Sequence, residues 1–214
     1  MDPGPGQCPG RSPPRGRAMT AYTCFEELAA HEVCGVDYRI RFRHGPSGIA
    51  VMAIHGGGIE RGTTEIAEAL AADRHAFYTF SGLKPSGNFR LHLPSHRFDE
   101  PQALEIARSA VVVVTLHGCR DLNDRVYIGG RHTRLKARFE SALRHAGFPA
   151  AGSLRFQGVH PDNMCNRGSS GMGVQLEISR SLRGSLFLDV SRLMRKTPTA
   201  RFERFVAALG EALE

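Results

Sequence analysis

Two short apolar runs dominate the hydrophobic pattern, GIAVMAI at 48–54 and VVVVTL at 111–116. Both are β-rich, and each empties into a polar turn with glycine, HGGG after the first and HGCR after the second. Runs of this kind mark strands buried on both faces of a sheet. DYRIRFR at 37–43 alternates at period two and predicts a half-buried strand. Residues 76–80, FRLHL at 89–93 and GVQLEI at 173–178 predict further strands. Helices are expected over 23–30, from Thr63 with Ile66, Ala67, Leu70 and Ala71 on one face, from Pro101 to Arg108, over 131–145 closed by Gly147, and over 198–213 with Phe202, Phe205, Val206 and Leu209 inward.

Buried strands alternating with helices argue for an α/β fold, a three-layer sandwich around a mixed, mainly parallel central sheet. In such sheets, sites form beyond the carboxyl ends of the strands, which is where His55 and His117 fall.

Length changes this picture little: 214 residues with 41% hydrophobic content suit one domain with a substantial core. The Pro/Gly/Arg-rich start lacks the apolar segment of a signal peptide, so residues 1–18 are expected to be a disordered tail and 19–214 the domain. Five widely spaced cysteines (Cys8, Cys24, Cys34, Cys119, Cys165) form no CxxC pair, which predicts reduced thiols and a cytoplasmic location. No stretch is long enough to span a membrane.

Charge adds a partner class. A formal charge of +7 and a pI near 9.6 suit an anionic polymer, either nucleic acid or a polycarboxylate. The arginines are scattered, with no basic run and no alternation with aromatic residues, which counts against nucleic acid.

The sharpest candidate for chemistry is His55-Gly56-Gly57-Gly58-Ile59-Glu60. Imidazole and carboxylate are both zinc ligands, and three glycines let the backbone between them fold tightly around an ion; a plain turn is the competing reading. There is no GxxxxGK[ST] or GxGxxG to make the loop a phosphate cradle. A catalytic zinc needs a third protein ligand, and His117, at the end of the other buried strand, is the candidate. His92, between two leucines, competes for that place and is otherwise assigned beside the substrate. His75, His96, His132 and His145 are expected at the surface. Glu177 lies inside an apolar strand, where a carboxylate is costly unless it serves a purpose; it is either the proton acceptor or a solvent-facing residue of an edge strand. Asn163, Asn166, Arg167, Arg180 and Arg183 supply polar and cationic groups for an anionic substrate.

Four segments in order, HGGGIERGTTEIAEAL, LHLPSHRFDEP, VTLHGCRD and NMCNRGSSGMGVQLEISRSLR, resemble the phage and bacillar poly-γ-glutamate hydrolases, over roughly Phe25 to the C-terminus. The resemblance implies a zinc-dependent amide hydrolase with a fold similar to the carboxypeptidase A group and the zinc amidases. It implies His55, Glu60 and His117 as ligands of Zn2+ and Glu177 as the catalytic carboxylate. Four residues separate His55 from Glu60 here, where the carboxypeptidase group typically has two, and Glu65 is the alternative carboxylate. Arg120, Arg167 or Arg183 would then bind the carboxylates of a γ-linked glutamate chain. Two other readings stand beside it: an amidase acting on cell-wall peptides or N-acyl amino acids, and a basic, phage-related nucleic-acid-binding protein without catalysis.

Overall fold

A computed structural model describes residues 21–188 and 197–214. The expected tail at 1–18 lies outside the described residues. One seven-stranded sheet organises the chain: β1 (Tyr38–Arg43), β2 (Ile49–Gly57), β3 (Ala76–Gly82), β4 (Val112–Gly118), β5 (Val126–Gly129), β6 (Ala150–Gly152) and β7 (Val174–Ile178), in the order β1-β3-β2-β4-β7-β5-β6. β3, β2, β4 and β7 run parallel to their neighbours, as do β5 and β6, while β1 and β5 pair antiparallel to β3 and β7. The sheet is therefore mixed and mainly parallel.

β2, β3 and β4 are mostly apolar because each feeds two cores. On β2, Val51 and Ala53 face one core, which receives α2 (Thr63–Ala71), α4 (Thr133–His145) and α6 (Ala200–Leu213) through Ile66, Phe139 and Phe205. Ala50, Met52 and Ile54 face the other, closed by α1 (Phe25–His31) and α3 (Pro101–Ser109) through Leu28 and Ile106. Each fully buried large side chain contributes about 1.5–3 kcal/mol. Helix, sheet and helix make the three layers.

Several expectations need correction. FRLHL is not a strand: Asn88–Leu91 form a 3-10 turn, entered through Gly87 at φ 71°. Its period-two pattern comes from Leu91 and Leu93 both reaching the core, not from sheet pairing. β5, β6 and the short α5 (Arg180–Ser185) were not legible, being too brief to show a period. β7 lies between β4 and β5, so Glu177 does not stand on an edge strand. His75 is buried and bonded to Ser47 Oγ at 2.6 Å rather than lying at the surface.

β2 and β4 also run longer than the apolar runs predict, to Gly57 and Gly118, so His55 and His117 ride on strand ends rather than in loops. Because the strands are parallel neighbours, both histidines arrive at the same edge of the sheet.

Candidate metal centre

The HGGGIE segment turns back on itself: Glu60 N–H donates to His55 O at 2.9 Å, and Ile59 N–H to Gly56 O at 3.2 Å. Two glycines make this close approach possible. A Cβ on Gly56 would sit 2.1 Å from Thr64 Oγ1, and Gly57 takes φ 60° with its Cβ direction aimed at the Gly82 carbonyl, 2.6 Å away. The turn swings Glu60 under the two strand ends, where Gly118 N–H donates to its Oε2 at 2.9 Å.

Two imidazole nitrogens and the two oxygens of one carboxylate converge there. His55 Nδ1 lies 3.1 Å from His117 Nδ1 and 3.3 Å from Glu60 Oε1, and His117 Nδ1 lies 3.5 Å from Glu60 Oε2. Donors about 2.0–2.2 Å from a tetrahedral zinc stand roughly 3.3–3.6 Å apart, so these separations, each histidine taken to its nearer Glu60 oxygen, are close to those of such a site. The tautomer fits as well. His55 Nε2 lies 2.6 Å from Leu93 O, which can only accept, so the proton sits on Nε2 and Nδ1 keeps its lone pair. His117 turns Nε2 toward Ser95 Oγ at 3.4 Å, again leaving Nδ1 inward.

His92 completes the cluster from one side. Its ring stacks on His55 at 3.9 Å and on Phe89 at 5.0 Å, and its Nε2 lies 3.6 Å from Glu60 Oε1. His55, Glu60 and His92 also form a possible metal-holding group, so His92 and His117 flank the same carboxylate. The buried Nδ1 of His92 has no hydrogen-bond partner among the described residues. Glu65, at the start of α2, is not in this group.

The electrostatics follow from the crowding. Burial, reinforced by His92, drives His55 down to about 4, which keeps it neutral. Burial alone would raise Glu60, but the surrounding imidazoles, His55 foremost, hold it well below the usual carboxylate range. Burial also opposes charge on His117, yet its bond to Glu60 and the nearby Glu177 raise it above the ordinary value.

Glu177 is the Cα partner of His117 across β4 and β7, so both side chains leave the sheet on one face. Burial pushes its carboxyl up to about 7; His117 pulls it down, and Glu60 adds to the rise. A directed chain of hydrogen bonds holds it: Cys165 N–H donates to Asn163 Oδ1 (3.1 Å), Asn163 Nδ2 to Gln175 Oε1 (2.9 Å), and Gln175 Nε2 to Glu177 Oε1 (3.2 Å). Each amide's orientation is fixed by the one before it, starting from a backbone N–H. Gln175 had no sequence signal beyond standing two residues before Glu177, which puts both on the same strand face.

The remaining candidates divide. Arg120 is exposed over the Phe89 ring at 5.1 Å, at the outer end of the stack that begins at His55. Arg183 was expected at the substrate, but it is buried and gives all three guanidinium nitrogens to the carbonyls of Ile178, Arg61 and Cys119. It ties the ends of β4 and β7 to the HGGGIE segment. Asn166 is likewise buried; it donates to Gly158 O and His160 O and accepts from Gly173 N–H. Arg167 points to Asp162, to the backbone O at 2.9 Å and to the carboxylate at 3.7 Å.

A profile described as poly-gamma-glutamate hydrolase matches residues 22–208, the whole span that carries these residues. This chain belongs to the poly-gamma-glutamate hydrolase family. UPF0714 protein YndL of Bacillus subtilis (strain 168) is 37% identical over 202 residues, covering 92% of this chain and 79% of that protein. A bacteriophage poly-gamma-glutamate hydrolase structure superposes with a TM-score of 0.88 at 37% identity, over 91% of this chain and 96% of the phage chain. A zinc-free apo structure of YndL superposes with a TM-score of 0.87 at 37% identity, over 91% and 98%. Membership makes the chain a hydrolase, which displaces the reading of a basic binding protein without catalysis. Among the described residues no helix is long and apolar enough to cross a membrane.

Proposed function

We propose that the protein is a zinc-dependent hydrolase of the γ-glutamyl amide bonds of poly-γ-glutamate. The observation that carries the reading is the triangle of His55 Nδ1, Glu60 and His117 Nδ1, 3.1–3.5 Å on each side, with Glu177 on the same sheet face. These three residues would hold the metal. A zinc ion there would supply Lewis-acid polarisation of the substrate carbonyl and an acidified water.

The chain's own residues do the rest. Leu93 O and Ser95 keep the two imidazoles turned with Nδ1 inward. Glu177 takes a proton from the attacking water and returns it to the leaving nitrogen as the C–N bond breaks. Burial, which favours the neutral form of its carboxyl, suits both directions of transfer, because a carboxyl held toward neutrality can keep the proton it takes and still release it. The bond from Gln175 occupies Oε1 and leaves Oε2 for the proton. Arg120, exposed at the end of the aromatic stack, offers a guanidinium to a substrate carboxylate.

The test is product analysis after incubation with γ-linked polyglutamate, α-linked polyglutamate, cell-wall peptide fragments and N-acyl amino acids, each with zinc present. Shortening of the γ-linked polymer alone is the expected result. Cleavage of one of the others with the γ-linked polymer left intact would refute the substrate assignment.

A further inference from the structure

We propose that Arg155 reads the free carboxylate on the glutamyl unit that leaves, and so makes the site selective for γ-linked over α-linked glutamate; this rests on the substrate reading above. A row of side chains crosses the sheet from the metal-type cluster. His117, Glu177 and Tyr127 are successive Cα partners on β4, β7 and β5, so their side chains stand side by side on one face. The row starts at the metal-type cluster and passes through the proton acceptor. Beyond it, Tyr127 packs against Phe156 with ring centroids 5.3 Å apart, and Arg155 lies over the Phe156 ring at 4.4 Å.

Arg155 is not a loose surface cation. One Nη donates to Asp121 Oδ1 at 3.1 Å, and the other Asp121 oxygen accepts from Tyr127 OH at 2.6 Å. Asp121 therefore locks the arginine to the row, and the Phe156 ring supports its plane. The side chain is 59% exposed, and its other N–H groups have no partner among the described residues. A guanidinium fixed at one corner and open along the rest is set to receive a carboxylate as a fork.

Linkage chemistry says which carboxylate. In a γ-linked chain, the carbon attached to the amide nitrogen carries a free carboxylate; in an α-linked chain, that carbon carries the next main-chain carbonyl instead. Glu177 returns its proton to the amide nitrogen. The carboxylate one carbon from that nitrogen then lies on the Glu177 side of the site, and Arg155 is the cation that Asp121 anchors there. Arg120 stands instead over Phe89, at the outer end of the stack that runs through His92 to His55.

Calorimetric binding separates this from a general effect of positive charge. The ligands are a γ-linked glutamate hexamer and the same hexamer with its α-carboxylates amidated, titrated with zinc present into E177Q, E177Q/R155M and E177Q/R155K. The expected result is a roughly 10- to 100-fold weakening for the free hexamer with R155M, a smaller loss with R155K because lysine keeps the charge without the fork, and no change for the amidated ligand. Equal binding by all three proteins, or an equal loss on both ligands, overturns the Arg155 assignment alone, provided E177Q binds the hexamer. Failure of E177Q to bind it, with the hexamer left intact by the wild type, overturns the substrate reading and this inference together.

Discussion

Glu177→Gln is expected to lower kcat by about 10²- to 10⁴-fold, the range over which a positioned acid–base group contributes. The substitution keeps shape and volume and still offers an oxygen to Gln175 Nε2, so the hydrogen-bond chain from Cys165 is preserved. It removes only the ability to carry the proton. KM and zinc content are therefore expected to stay near the wild-type values, measured by steady-state kinetics on the γ-linked polymer and by metal analysis of the same preparation. Full activity in E177Q with metal still bound would eliminate Glu177 as the proton acceptor.

The second large effect separates the two histidines that flank Glu60. His117→Ala removes one corner of the tightest triangle, and zinc affinity is expected to fall by more than roughly 100-fold, beyond what the loss of a residue that only supports a ligand costs. His92→Ala removes a ring that stacks on His55 and supports it, so its loss is expected to stay within that 100-fold. Competition with a chelating indicator gives both affinities. Retention of zinc by H117A together with its loss from H92A would transfer the third ligand to His92.

The central strands were legible because a strand that feeds two cores has no polar face to confuse the pattern, as the alternation of Val51 and Met52 between cores shows. Glu177 stood out for another reason: it is a charge within a short, mostly buried strand whose apolar residues Val174, Leu176 and Ile178 all face one core. FRLHL misled because a short 3-10 turn followed by an extended residue can also bury Leu91 and Leu93 at period two. Arg183 and Asn166 read as substrate groups because sequence shows a cation or an amide but not its partners. Both are consumed by carbonyls whose positions depend on long-range folding. Arg155 was overlooked for the converse reason: nothing local distinguishes it, and its place depends on Asp121, thirty-four residues earlier in the chain.

Metal analysis of the purified wild-type protein, paired with activity on γ-linked polyglutamate, tests the central claim most directly. The account predicts about one equivalent of zinc per chain, with activity lost when a chelator removes the metal and regained when zinc is restored. A preparation that is stoichiometrically metal-free and still cleaves the polymer at the full rate would contradict it.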